Sequence, residues 1–284
     1  MRQITKFYLA GDIGGTKTVL ALFSTETGPF RALDSEIFPS QGFESLEAII
    51  RQYLSTRDMR IYGASFGVAG PVKGERAEAT NLPWMIDARS LSSHINDAPV
   101  RLLNDLLATA HAVPYLTTAD IHTVIHGDEN PHSVLGVIAP GTGLGEAFLV
   151  WNSARYEAYP SEGGHANFGP ATQVELQLLE YLLPRLDHVS YEGACSGKAI
   201  PNLYCFLRDV RKVEEPEWLR DSLSSAVDPT RIISKIDKKR FAASFTNKGR
   251  FRDLLSRIPV HVIVKPDIAL FGAACHGFEQ MGTN

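Results

Sequence analysis

The chain has 284 residues, a net charge of −4 and a composition that is 44% hydrophobic and 21% charged. These values are typical of a soluble globular protein with one large domain or two smaller ones. The negative charge argues against nucleic acid as a main partner. No apolar run approaches the ~18 residues of a membrane helix, so we expect a cytoplasmic protein with no membrane partner. Its three cysteines, Cys195, Cys205 and Cys275, lack metal-site spacing and are expected to be reduced, mostly buried thiols.

The first predicted elements are two strands, residues 7–10 and 19–23, joined by the loop GDIGGTKT at residues 11–18. Glycine has no Cβ, so such a loop can turn tightly and present backbone N–H groups to a phosphate. The spacing is not that of a Walker A loop, because Thr16 stands between Gly15 and Lys17. Apolar runs on both sides predict a hairpin. Asp12 beside a phosphate would be unfavourable without a cation, and so implies Mg²⁺.

The next informative elements are a strand over residues 61–68, a strand over 100–103 and a helix over 106–113. Asn104 and Asp105 fall between the last two. Both residue types are favoured helix caps, so capping is one interpretation. The other makes Asp105 a general base that takes a proton from a hydroxyl group. Both hold if Asn104 caps the helix and Asp105 faces a cleft.

A second glycine-rich loop, GTGLG at residues 141–145, lies between predicted strands at 134–138 and 147–150. Its glycines lack the Rossmann spacing, and the loop leads into a strand rather than a helix. Either loop alone is equally compatible with an ordinary hairpin. Two such loops in one chain suggest two lobes that hold one polyphosphate.

Another polar cluster is the tight turn SEGGH at residues 161–165, which places Glu162 beside His165. The pair could ligate a metal, although no third ligand is obvious nearby. It could also bind the neighbouring hydroxyls of a sugar, or be a solvated Glu and a packed His in a loop. Glu192, in the segment YEGACSG at residues 191–197, is on its own most simply a surface or capping carboxylate.

The remaining pattern continues the alternation of helices and strands. Thr172 and Glu175 predict a capping box for a helix over residues 173–183. A buried strand is predicted over 260–264, followed by a final helix capped by Asp267. Together the elements predict α/β domains with a cleft between them.

Taken together, these segments resemble the bacterial-type glucokinases, which belong to the actin-like sugar kinases. The resemblance is carried, in the family's order, by GDIGGT (11–16), TNLPW (80–84), LND (103–105) with Ala108, GTGLG (141–145), EGGH (162–165), and SG (196–197) with NLY (202–204). It implies a two-lobed actin-like (ribonuclease H-like) α/β fold with a small lobe, 1–110, and a larger lobe, 111–284. The Cys-rich zinc motif of the related repressor and open-reading-frame sugar kinases is absent.

The resemblance also implies a reaction, the ATP-dependent phosphorylation of glucose to glucose 6-phosphate. Asp105 would be the base for the 6-hydroxyl, and Asp12 would hold Mg²⁺ through water. The hexose hydroxyls would be bound by Asn81, Asn104, Asp105, Glu162, His165 and Glu192. The phosphates of ATP would be bound by Gly14, Gly15, Thr16 and Lys17 in one lobe and by Gly141, Thr142 and Gly143 in the other. A homodimer is the family-based expectation.

The sequence departs from this family near residues 210–240. There the family has a long helical stretch, followed by a buried strand that leads into a Gly-Gly-Gly loop, and this loop binds adenosine. Residues 210–239 are charged, contain Pro216 and Pro229 and contain no glycine, and the resemblance resumes at about Phe241. Several tens of residues, including a core strand of the larger lobe, therefore have no counterpart here.

Three hypotheses remain open. The first is a glucokinase, impaired by the shortened C-terminal lobe. The second, from a different class, is a non-catalytic sugar-binding protein, either a pseudokinase or a sugar sensor. The third, a dinucleotide-dependent oxidoreductase, is least compatible with the glycine spacing of the two loops.

Overall fold

The structure is a computed structural model that describes residues 5–215, 217, 221 and 252–281. Its strands are β1 (Phe7–Ile13), β2 (Lys17–Ser24), β3 (Asp34–Pro39), β4 (Ile61–Val68), β5 (Val72–Lys73), β6 (Arg76–Glu78), β7 (Met85–Asp87), β8 (Val100–Asn104), β9 (Ile121–Ile125), β10 (Leu135–Pro140), β11 (Leu144–Trp151), β12 (Tyr156–Ser161) and β13 (Val260–Ile263). Its α-helices are α1 (Leu46–Leu54), α2 (Ala88–Ser93), α3 (Asp105–Ala112), α4 (Gln173–Leu182), α5 (Tyr191–Cys195), α6 (Ile200–Asp209), α7 (Arg252–Ser256) and α8 (Ile268–Met281).

The first sheet has five strands in the order β3-β2-β1-β4-β8. β1 and β2 form the predicted antiparallel hairpin, whereas β1, β4 and β8 run parallel. The carboxyl ends of parallel strands meet at one edge of a sheet, where ligands of α/β proteins bind. Asp12 in β1 and Asn104 at the end of β8 lie at this edge, with Gly67 of β4 paired to Asp12.

Helices cover both faces of the first sheet. One face forms the largest core cluster, to which Ile49, Ile50 and Leu91 of α1 and α2 contribute. The other face packs against α3 and against α8 from the end of the chain. At Gly272 of α8 a side chain would overlap the carbonyl oxygen of Ala108 in α3, so the two helices cross in backbone contact.

The second sheet is antiparallel, in the order β10-β11-β12. Its inner face, with Val137, Ala147 and Leu149, packs on α3. Its outer face is open to solvent, with Ile138 68% and Phe148 39% exposed. Among the described residues β10 has a strand neighbour on one side only, and β9 and β13 form a separate pair. Among the described residues β10 is therefore an edge strand.

Three expectations are wrong in detail. The strand near residues 260–264 is not buried, because β13 pairs only with β9 among the described residues, and Val264 just beyond it is 54% exposed. All three cysteines are free thiols, but only Cys275 is buried, and Cys195 on the short helix α5 is exposed. The helix predicted from residue 106 begins one residue earlier, at Asp105.

Other expectations are not tested by the structure. Of the segment with the predicted gap, residues 210–239, the structure describes only residues 210–215, 217 and 221. The lobe division at residue 110 falls within α3, which contacts both sheets, and it stays a prediction. None of the described helices is long and apolar enough to cross a membrane.

Candidate active site

The first glycine loop is a tight turn pressed against a neighbouring segment. The N–H of Gly14 donates to the carbonyl of Lys17 at 3.0 Å. A Cβ added at Gly15 would lie 2.9 Å from the oxygen of Thr80 and 3.2 Å from Cβ of Asn81. Gly15 therefore leaves no room for a side chain. The same contact shows that Asn81 lies against the loop. The backbone of Asn81 is left-handed, with φ of 65°.

Asp12 and Asp105 form an acidic cluster at the edge of the first sheet. Gly67 of the intervening strand would place a Cβ 3.8 Å from the Cα of Asp105. Burial, then the nearby charges of Asp105 and Asp267, raise the pKa of Asp12 to about 6, although Lys17 opposes this shift. The Nζ atom of Lys17 lies 3.6 Å from a carboxylate oxygen of Asp267.

Asn104 caps α3, which is one of the two roles that the sequence left open, and the role of Asp105 as a general base stays a prediction. Asn104 is the N-cap of α3, since its side-chain oxygen accepts the N–H of Leu106 at 3.0 Å. Its amide group donates to the carbonyl of Gly70 at 3.1 Å. Asp105 also accepts the N–H of Leu106, at 2.8 Å. Burial raises the pKa of Asp105, whereas the Leu106 N–H and the Asn104 side chain partly counter the shift.

The second glycine loop is fastened to the segment that carries Glu192. A carboxylate oxygen of Glu192 accepts the N–H of Leu144 at 2.8 Å. The N–H groups of Gly197 and Lys198 donate to the carbonyls of Gly141 and Thr142 at 2.8 and 3.1 Å. The position of this loop therefore depends directly on the Glu192 segment.

Glu162 and His165 are neighbours, as predicted, with 3.7 Å between Oε2 and Nε2. Both are open to solvent, at 88% and 60% side-chain exposure, and are thus accessible to a ligand. Their turn packs on the second loop, because a Cβ at Gly164 would overlap the carbonyl of Leu144. The described part of the chain contains no group of three or more His, Cys, Asp or Glu that could hold a metal ion.

The structure thus gathers the predicted residues into two groups. One comprises the first loop, Asn81, Asn104, Asp12 and Asp105; the other comprises the second loop, Glu162, His165 and Glu192. They meet at the start of α3, since a Cβ at Gly145 would lie 2.8 Å from the side chain of Leu106, the residue after Asp105. A two-lobed actin-like sugar kinase has this architecture, with a glycine loop on each side of one acidic centre.

The comparisons identify the family. The sequence matches the glucokinase family model over residues 9–229 and 227–280, so the chain belongs to the glucokinase family. It is 32% identical over 331 positions to a glucokinase of Nostoc punctiforme, which covers 94% of this chain and 97% of that protein. The crystal structure of a glucokinase from an Antarctic psychrotroph is similar at 26% identity and a TM-score of 0.82, over 98% of this chain and 100% of that one. A glucokinase of Balamuthia mandrillaris shares the fold, with 20% identity and a TM-score of 0.63, over 95% of this chain and 93% of that one.

These comparisons also bear on the predicted gap. An alignment of 331 positions exceeds the 284 residues of this chain, so the relative has residues with no counterpart here. The two family matches meet at residues 227–229, within the segment where the resemblance fails.

Sequence reasoning missed two neighbours of the site. Asp267 was predicted only as a helix cap, yet its carboxylate pairs with Lys17. Ser40, which bonds the first loop, belongs to no motif and is distant in sequence from the loop. Neither contact leaves a local signal in the sequence.

The raised pKa of Asp12 leads to a prediction about stability. The pKa of the Asp12 carboxyl rises from 3.8 to about 6 on folding, so the folded state binds the proton more tightly than the unfolded state does. The stability this gives is full below about pH 4 and is lost as pH rises through about 6. In metal-free buffer Asp12→Asn should therefore raise the melting temperature near pH 8 by a few degrees, and the gain should vanish near pH 4.

The exposed carboxylate Asp58 supplies a matched control, since Asp58→Asn should leave the melting temperature unchanged at both pH values. Scanning calorimetry on both variants checks the result. An Asp12→Asn variant that is less stable near pH 8 would contradict the assigned environment of Asp12.

Proposed function

We propose that this chain phosphorylates glucose at the 6-hydroxyl, with ATP as the donor, in the cytoplasm. The observation that carries the proposal is the place of Asp105. Asp105 lies at the start of α3, its charge acts on Asp12, and the next residue, Leu106, contacts the second glycine loop at Gly145. Family membership supports the reaction, and the position of Asp105 supports the residue roles proposed below.

Asp105 acts as the general base. Burial raises its pKa, which strengthens it as a proton acceptor while the N–H of Leu106 still favours the ionised form. Phosphoryl transfer requires in-line positioning and charge neutralisation more than covalent chemistry. Asp105 therefore orients the 6-hydroxyl and accepts its proton as the new O–P bond forms.

The two loops act on the phosphates from opposite sides. Backbone N–H groups of Gly15 and Thr16 on one side and of Thr142 and Gly143 on the other neutralise the charge that develops on the transferred group. The N–H groups of Gly14 and Gly141 instead shape the two loops, because they donate to the carbonyls of Lys17 and Gly143. Lys17 adds a positive charge. Closure of the lobes, assigned to residues 1–110 and 111–284, excludes water that would compete with the sugar as acceptor.

An Mg²⁺ ion fits the donor chemistry at Asp12. The charges of Asp105 and Asp267 act on the carboxylate of Asp12, and the ammonium group of Lys17 opposes them. Such an excess of negative charge suits a divalent cation with oxygen ligands. Asp12 would hold the ion through water, and the ion would neutralise phosphate charge.

The sugar is held by Asn81, Asn104, Glu162, His165 and Glu192. Paired acceptors and donors on these side chains match the hydroxyls of a hexose. Because Glu192 also accepts the N–H of Leu144, one carboxylate serves the sugar side and the second loop. We also infer a homodimer, which sedimentation of the purified chain would test.

The direct test is ADP release with glucose and with 6-deoxyglucose. The deoxy sugar keeps the other hydroxyls but lacks the acceptor, so we expect release with glucose alone. Equal release with both sugars would mean that water is the acceptor and would overturn the proposal.

One variant tests the sugar role of Glu162. Glu162→Gln should weaken glucose binding by ~1–3 kcal/mol, because hydroxyl groups lose their charged partner. Glu180→Gln, an exposed carboxylate on α4, is the matched control and should bind glucose normally. Calorimetric titration measures both. Stoichiometric zinc, lost on His165→Ala, would instead indicate a metal site.

The second candidate function is sugar binding without catalysis. The open outer face of the second sheet and the family residues that have no counterpart here favour it. It predicts tight glucose binding with no glucose-dependent ADP release.

A further inference from the structure

Ser40 is a buried residue that no part of the proposed mechanism uses. It follows β3 in a 3₁₀ turn and is fully buried, as is Thr18. Its hydroxyl donates to the carbonyl of Gly14 at 2.7 Å, and its N–H donates to the carbonyl of Thr16 at 3.0 Å. The hydroxyl of Thr18 lies 3.0 Å from that of Ser40. Ser40 thus binds two carbonyls of the first glycine loop.

These two bonds determine which way the peptide groups of the loop face. In a trans peptide unit the C=O and the N–H point in opposite directions. The carbonyl of Gly14 shares its unit with the N–H of Gly15, and the carbonyl of Thr16 shares its unit with the N–H of Lys17. With both carbonyls turned towards Ser40, both N–H groups point away from it.

A phosphate site needs this arrangement, since N–H groups attract the anion and carbonyl oxygens repel it. The unit between Gly14 and Gly15 is the one most free to rotate, because glycines on both sides remove the steric barrier. A flip would place an oxygen where the N–H is required. The Ser40 hydroxyl bonds the carbonyl of that unit.

We propose that Ser40 is a positioning residue that holds the Gly14–Gly15 peptide in its phosphate-binding orientation. The inference rests on the proposed function for its kinetic consequence. It assigns to Ser40 an effect on nucleotide binding that a buried hydroxyl with a purely structural role would not have.

Ser92 provides a matched control in the same lobe. Its hydroxyl donates to the carbonyl of Ala98 at 2.8 Å, a bond of the same type and similar length, from α2 to the loop before β8. Ser40→Ala and Ser92→Ala each remove one bond from a hydroxyl to a carbonyl, and both leave the backbone N–H in place. Ser40→Ala also removes the contact with the Thr18 hydroxyl. A general loss of stability affects both variants, whereas a loss of loop orientation affects only Ser40→Ala.

The test combines amide hydrogen exchange on the free chain with steady-state kinetics. In Ser40→Ala we expect faster exchange at residues 14–17 and a KM for ATP raised about fivefold, the equivalent of one lost hydrogen bond. The KM for glucose should change by less than about twofold. Ser92→Ala should match the wild type in all three quantities.

The outcomes separate the two claims. Unchanged exchange at residues 14–17 in Ser40→Ala, or equal rises in both KM values, would overturn the role of Ser40. Absence of glucose-dependent ADP release by the wild type would overturn the proposed function, while the exchange rates would still decide whether Ser40 holds the loop.

Discussion

Asp105→Asn is expected to lower kcat by about 100-fold or more and to leave glucose affinity within a few fold. The amide keeps the shape of the carboxylate and can still accept the N–H of Leu106, but it cannot take the proton of the 6-hydroxyl. Steady-state kinetics and glucose titration measure the two quantities separately.

Asp58→Asn is again the control, because Asp58 is exposed in the same lobe. We expect it to retain full turnover. Near-normal kcat in Asp105→Asn would show that another group accepts the proton. A large loss of glucose affinity with unchanged kcat would make Asp105 a sugar ligand only.

The free chain is expected to bind MgATP weakly and with strong salt dependence. Both glycine loops are present and held in place, but the sequence pattern predicts no counterpart of the strand and loop that bind adenosine in the family. Binding then rests on phosphate contacts, which salt screens. Titration at about 0.05 M and about 0.3 M salt should show a marked loss of affinity.

Inorganic tripolyphosphate is the matched ligand for this prediction. If the chain has no binding site for adenosine, tripolyphosphate should bind about as tightly as ATP. Loss of the predicted core strand should also lower the free energy of unfolding, so we expect a low melting temperature. Three results together would contradict this prediction: micromolar ATP binding that is insensitive to salt, much weaker binding of tripolyphosphate, and cooperative unfolding at high temperature. They would show that residues 210–239 replace the missing adenosine-binding site.

Local patterns predicted the elements that carry the site. The hairpin at Asp12, the cap at Asn104 and the capping box of Thr172 with Glu175 are all present. Each depends on residues a few positions apart, so its signal is contained in a short stretch. The neighbouring positions of Glu162 and His165 followed in the same way from one tight turn.

Long-range packing could not be predicted in this way. The contact between Gly272 and Ala108 joins the last helix to α3, and the bond from Ser40 to Gly14 spans 26 positions. The exposure of β13 likewise depends on which strands pair with it, and among the described residues only β9 does. Such contacts depend on the whole fold, and no short pattern encodes them.

The central claim is that Asp105, between two phosphate loops, transfers phosphate from ATP to glucose in this shortened chain. Phosphorus NMR on a mixture of the chain, glucose, Mg²⁺ and saturating ATP tests it most directly. The account predicts a glucose 6-phosphate signal that grows with time and is nearly lost in Asp105→Asn. Glucose binding in the same sample without any sugar phosphate signal would contradict it and would identify a sugar-binding protein instead.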